Sequence, residues 1–504
     1  MNNKKKILLN IFYSILSQTI TILLGLLVPR LFIVGYGSET NGLLNSINQL
    51  LIYLGLFEAG IGISSLQALY GPVALDKKED INAVLSATNL YYKKTGIYYF
   101  FGLIIFSATY PLFAKSKLEY ISVFLIVFFS GISNVVLFFF QGKYKILLQA
   151  EGKNYIITNL TTIITILTNV SKIILLSLKV NVTFVILVSS IVGLIQAVYI
   201  SLYIKCKYKW IDLKTKPNTK AIAQKNFVLV HQISGMVFSN TDVLILTIAC
   251  DLKVVSVYSM YKLVITHIES IIAIISNSFS FSLGQSYQTD INRYKKEIDA
   301  YESFYSFIAL SLFSVAFYLL KPFMKIYTAG VNDINYADDK LVFLFIVIAV
   351  LTALRTPMLY TINYAGHFKL TTPQTVIETI INIVISLVGV YFIGIYGVLL
   401  GTIAALIYRN NDIIIYSNKK ILGRKPWKTY FIHGINLTVF VIMQFLYRLF
   451  FSNSIEGILK FLIIGLIMTV ITLFVFLIIN ILVFSEFKEI THSVLKSKIS
   501  KKWD

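Results

Sequence analysis

Apolar runs of about 20 residues, the length that crosses a bilayer as a helix, recur along the chain with short polar connections between them. They predict helices near 7–34, 42–70, 95–114, 118–141, 155–178 and 182–204. After a polar interval come 227–250, 254–285, 302–320, 338–365, 370–392 and 398–416, and then 429–450 and 456–484. The pattern predicts an all-α polytopic membrane protein with about 14 transmembrane helices.

The polar interval opens with Lys205-Cys206-Lys207-Tyr208-Lys209-Trp210 and continues through Asp212, Lys214, Lys216, Pro217, Lys220 and Lys225. Lysine-rich loops beside spans resist translocation, so it is expected on the cytoplasmic side. Of the 45 Lys and Arg in the chain, loops then assigned inside hold roughly 32 and those assigned outside about ten. Both termini come out cytoplasmic. The outer connections, Lys115–Glu119, Lys179–Val182, Asp251–Val254 and Tyr327–Asp339, are too short to fold as a domain. Chemistry is therefore expected within the bundle. The apolar run after Lys4-Lys5-Lys6 is too long for a signal peptide and reads as a retained first span.

Composition agrees. Of 504 residues, 57% are hydrophobic and 14% charged, against about 25% charged in a soluble domain. The net charge of +21 is spread over short loops, which is membrane orientation and not a nucleic-acid groove. Cys206 and Cys250 fall on opposite sides, so no disulfide framework is expected.

A faint internal echo divides the chain. Asp76-Lys77-Lys78-Glu79-Asp80-Ile81-Asn82 and Asp290-Ile291-Asn292-Arg293-Tyr294-Lys295-Lys296 each follow a long second span and precede a tyrosine-rich helix start. Two six-helix lobes facing a central cavity are expected from such a duplication. Residues 1–204 form the first, 205–226 a basic linker and 227–418 the second; 419–504 add two helices and a basic tail.

Ionisable residues inside spans are expensive and mark sites. Arg30 follows Pro29 near the outer end of the first span, where it can snorkel. Glu58 sits near mid-membrane, where snorkelling is hard, and Lys172 lies in the outer third of the fifth span. Asp242 is past mid-depth in the seventh. Lys262 and Glu269 share a face of the eighth. Arg355 and Glu378 fall at matching inner depth on the tenth and eleventh spans, with Pro357 beside Arg355. Arg355 is the strongest candidate to meet an anionic substrate; the alternative is an ion pair with Glu378. Two histidines, His231 and His267, do not make a metal site. Gly397 and Gly401 are spaced for close helix packing. No GxxxxGK[ST] or HExxH motif occurs, and no motif asks for a cofactor.

Several stretches are family-like. They are Tyr36-Gly37-Ser38-Glu39-Thr40-Asn41-Gly42-Leu43 through Leu56-Phe57-Glu58-Ala59-Gly60, Asp242-Val243-Leu244-Ile245-Leu246, and Ala365-Gly366-His367-Phe368-Lys369. A longer one runs from Glu378 through Gly394-Ile395-Tyr396-Gly397 to Tyr408-Arg409. In these the chain resembles the polysaccharide repeat-unit flippases (Wzx type) of the MOP superfamily, which also holds MATE drug exporters and lipid II flippases. The resemblance implies a MATE-like pair of lobes working by alternating access in a bacterial plasma membrane. It implies an undecaprenyl-diphosphate-linked oligosaccharide as substrate, with H⁺ or Na⁺ coupling. Membrane lipids are implied partners, and a polysaccharide polymerase and assembly proteins possible ones. Intramembrane cations suit a diphosphate. Arg30, Lys172, Lys262 and Arg355 are chosen by depth, as are the acids Glu58, Asp242, Glu269 and Glu378. The arginine-rich first lobe of lipid II flippases is absent. A cation-coupled drug exporter would favour acids in the cavity, and a polymerase would need a substantial outer loop.

Overall fold

The computed structural model describes residues 3–489 except 59, 60, 220–224, 452–454 and 456. Parts of the basic linker and the tail lysines from Lys496 onward lie outside the described residues, as does the side chain of His231. The described chain is helical, with no strand. It divides by packing into two compact units, Met1–Ser259 and Met260–Asp504.

The first unit holds α1 (Asn3–Leu54), α2 (Ile61–Ala74), α3 (Lys78–Phe113), α4 (Tyr120–Phe140) and the short α5 (Gly142–Ala150). With them are α6 (Asn154–Ser177), α7 (Val182–Lys207), α8 (Lys225–Ala249) and the start of α9 (Leu252–Thr289). The second holds the rest of α9, α10 (Ile291–Tyr327), α11 (Asp339–Tyr364), α12 (Phe368–Ile393) and α13 (Ile395–Tyr416). It closes with α14 (Trp427–Phe450) and α15 (Ile458–Val483).

Twelve helices among the described residues are long and apolar enough to span a membrane. The first of these merges two helices across Gly37, whose φ of 83° breaks the helical path. A shorter apolar helix covers Gly235–Ala249. Divided at Gly37 and with that helix added, the twelve become the expected fourteen. Boundaries differ from the sequence expectation where caps decide them. The helix expected at 302–320 begins at Ile291 because Asp290 accepts from the backbone N–H of Asn292 and Arg293. The helix expected across 42–70 is interrupted by a single 3₁₀ turn at Gly55–Glu58.

The basic linker is pinned to the first unit by backbone contacts that sequence does not reveal. Asn82, on α3, donates to the Trp210 carbonyl at 3.2 Å and accepts from Asp212 N–H at 3.1 Å. Ser86 donates to the Leu213 carbonyl at 3.1 Å. The linker lysines 205, 207, 209, 214 and 216 remain exposed.

In the second unit α12 and α13 pack backbone to backbone. Gly394 turns between them with φ 58°. A Cβ on Gly389 would stand 2.8 Å from Gly397 Cα, and one on Gly401 would stand 2.7 Å from the Ser386 nitrogen. The small-residue spacing at Gly397 and Gly401 is therefore a packing device. Gly397→Ala is expected to cost about 1–3 kcal/mol by overpacking. Thermal unfolding in detergent checks this, with Gly434→Ala as the control, since that site has open space.

The last two helices are fastened to α10 through polar groups. Gln444 donates to Ser314 Oγ at 2.8 Å. Asn436 and Asn480 exchange side-chain amide bonds. Lys428 meets both Asp299 and Glu486 at 2.6 Å. Partial burial pushes the Glu486 carboxyl up, but Lys428 and the Ser485 hydroxyl outweigh this and hold it at about 2, below its ordinary 4.5. The folded value is depressed, so its stabilisation is full above the ordinary value and is lost as pH falls from 4.5 to about 2. Thermal unfolding midpoints should drop more steeply over that window in wild type than in Glu486→Gln.

Candidate functional site

In the first unit the turn between α1 and α2 builds a polar cavity. Irregular backbone at membrane depth is tolerated where it lines a wet space, and the Gly55–Glu58 turn delivers Glu58 to a cavity of about 450 Å³. Asn48, Tyr92, Tyr99, Asn134 and Gln141 line it with Glu58. Tyr92 Oη donates to Glu58 Oε1 at 2.5 Å, and Asn134 donates to Tyr99 Oη at 3.1 Å. Lys145 also reaches the wall but forms no ion pair with Glu58, which has none among the described residues. A carboxylate held by one hydroxyl in a polar cavity can take up a proton or a small cation.

Two of the candidate cations lie in this unit. Arg30 on α1 and Lys172 on α6 are half-buried, and neither makes an ion pair among the described residues. The two helices pack together. By the helical rise, Arg30 lies about 10 Å before the Gly37 break and Lys172 about 8 Å before the end of α6. The two stand at comparable depth. Asp242, on α8, is buried and accepts from Tyr258 Oη at 2.8 Å. Beside it Thr241 Oγ1 meets Tyr53 Oη at 3.1 Å.

The second unit treats its charges differently. Arg355 Nη1 lies 2.7 Å from Glu378 Oε1, and Arg409 Nε lies 3.6 Å from Glu378 Oε2. Arg409 also pairs with Asp412 and donates to Thr375 Oγ1 at 3.1 Å. Glu378 and Arg409 are both buried. The ion-pair alternative for Arg355 is thus what the structure shows, with Arg409 as a second partner. Glu269, half-buried on α9, sits in the field of Lys262 and Arg355. Glu378 is thus met by Arg355 and Arg409, and Asp412 by Arg409.

Sequence reasoning missed Tyr92, Arg409 and Asp412. Arg409 and Asp412 carried a signal, because opposite charges at i and i+3 in an apolar helix form a local pair. Tyr92 carried none, since a tyrosine near a helix end reads as an interfacial aromatic.

No family model matches the chain, and neither does any curated protein. Solved structures do match. A lipid II flippase, MurJ, in an inward closed conformation aligns with TM-score 0.64 at 15% identity, over 92% of this chain and 98% of that one. The fold is that of the MATE and MurJ transporters. An inward-facing multidrug resistance MATE transporter of the MOP superfamily aligns with TM-score 0.59 at 14% identity, over 78% of this chain and 95% of that one. The MATE multidrug transporter DinF-BH gives 0.60 at 12% identity, over 82% and 96%. This fold is what carries the intramembrane charges to their places, and at these identities it says nothing of the cargo.

Proposed function

We propose that the protein is a flippase that moves an undecaprenyl-diphosphate-linked oligosaccharide repeat unit across a bacterial plasma membrane by alternating access. The observation that carries this reading is the pair of half-buried cations, Arg30 and Lys172, that make no ion pair among the described residues; the structural likeness supplies the fold. The stretches from Tyr36 to Gly60 and from Glu378 to Arg409, which resemble repeat-unit flippases, are in keeping with it. Arg30 and Lys172, at comparable depth, suit a diphosphate, which needs compensating charge to enter hydrocarbon. Glu58 is the proposed site of H⁺ or Na⁺ coupling. Arg355 and Lys262 form the internal charge network of the second lobe and hold a more distant role toward substrate. In this reading both termini face the cytoplasm, residues 205–226 link the lobes, and the protein performs no covalent chemistry.

The second reading is a cation-coupled multidrug exporter, favoured by the acidic Glu58 cavity. Ligand-induced thermal stabilisation of the purified protein separates the two. A lipid-diphosphate-linked oligosaccharide should raise the unfolding midpoint, and a lipophilic cationic dye such as ethidium should leave it unchanged. The reverse order would favour the exporter.

A further inference from the structure

A separate cluster of charge lies where α10, the α13–α14 connection, α14 and the segment after α15 meet. Glu302, on α10, is fully buried. Its Oε2 accepts from Thr429 Oγ1 at 3.3 Å and stands 3.7 Å from Arg424 Nη2. Its Oε1 faces Nε2 of His433, itself buried, at 3.5 Å. Neither Glu302 Oε1 nor His433 Nε2 has a hydrogen-bond partner among the described residues. A carboxylate oxygen and a ring nitrogen facing each other out of water satisfy each other only when a proton is present between them.

The surrounding charges sharpen this. Asp299, one turn earlier on α10, is held by Arg424 and, at 2.6 Å, by Lys428. Lys428 also reaches Glu486 beyond α15 at 2.6 Å. Two cations, Arg424 and Lys428, are therefore matched by two anions, Asp299 and Glu486. Tyr294 of α10 also neighbours Arg424 and is a neutral phenol at ordinary pH, and the Lys295 ammonium of the same helix reaches the adjacent Gly423. An ionised Glu302 beside a neutral His433 would add a further negative charge in a buried site, which proteins avoid by binding a proton.

We infer that Glu302 and His433 form a proton-binding site, with one proton shared between Glu302 Oε1 and His433 Nε2. That proton keeps the cluster electrically neutral and fastens α14 to α10. Its release to solvent breaks the N–H–O link and leaves the carboxylate with the Thr429 hydroxyl and the long contact to Arg424, both on Oε2. The site is independent of what the protein carries.

The test uses the full chain in lipid nanodiscs, with infrared spectra of its carboxyl and imidazole bands taken from about pH 5 to about pH 10, a range that brackets perturbed Glu and His. Wild type should show a one-proton step that disappears in Glu302→Gln and moves in His433→Asn. The unfolding midpoint of wild type should fall as pH rises through that step, while Glu302→Gln, which mimics the protonated acid, stays level. An identical titration in wild type and both variants overturns the proposal. If Glu302→Gln fails to fold, His433→Asn decides alone: a step at an unchanged pH means that the proton is not shared.

Discussion

Glu378→Ala is expected to destabilise the protein by about 3–5 kcal/mol, the cost of leaving buried charge unpaired. The carboxylate receives Arg355 at 2.7 Å and Arg409 at 3.6 Å, so its removal takes an anionic partner from two guanidinium groups, one of them deeply buried. Arg355→Ala should cost distinctly less, because Glu378 keeps Arg409. Arg409 in turn keeps Asp412 when Glu378 is lost, which limits the damage to the lower end of that range. Thermal unfolding of the two single variants and the double variant measures this ordering. An Arg355→Ala loss equal to or above that of Glu378→Ala would mean that Arg355, and not Glu378, anchors the network.

The opposite profile is expected in the first lobe, where Lys172→Ala should leave folding intact and weaken handling of an anionic lipid. Lys172 has no ion pair to lose among the described residues, and removal of a desolvated cation gives up its own burial cost. In the proposed function a contact between Lys172 and the diphosphate would be worth about 2 kcal/mol or more, roughly a 30-fold loss in apparent affinity at 1.4 kcal/mol per tenfold. Arg30→Ala should behave alike. Titration of the purified variants with a lipid-diphosphate-linked oligosaccharide checks both. A loss of affinity accompanied by a large fall in the unfolding midpoint would assign these residues to structure.

Much of the architecture was legible because a bilayer imposes one length on every apolar helix. The succession of spans and the close packing at Gly397 and Gly401 follow from that length and from residue size. Register within the helices was not legible. Glu302 read as the first residue of a span near water, yet the Asp290 cap starts that helix earlier and places Glu302 in the core. Glu58 read as part of one continuous helix, whereas the turn at Gly55–Glu58 is set by what packs around it. Depth alone ranked Arg355 first among the cations. Depth fixes how much a charge must be compensated, but not by what, and Arg409 supplies a partner set from a helix far along the chain. Arg30 and Lys172 gain weight for the complementary reason that no ion pair compensates them among the described residues.

Translocation of an undecaprenyl-diphosphate-linked oligosaccharide in proteoliposomes tests the central claim most directly. Wild-type protein should move the sugar to the opposite leaflet, Lys172→Ala should slow that movement at low substrate, and Glu58→Gln should remove its dependence on an ion gradient. Wild-type protein that leaves the sugar where it started, with and without a gradient, while exporting a lipophilic cation would contradict the flippase account.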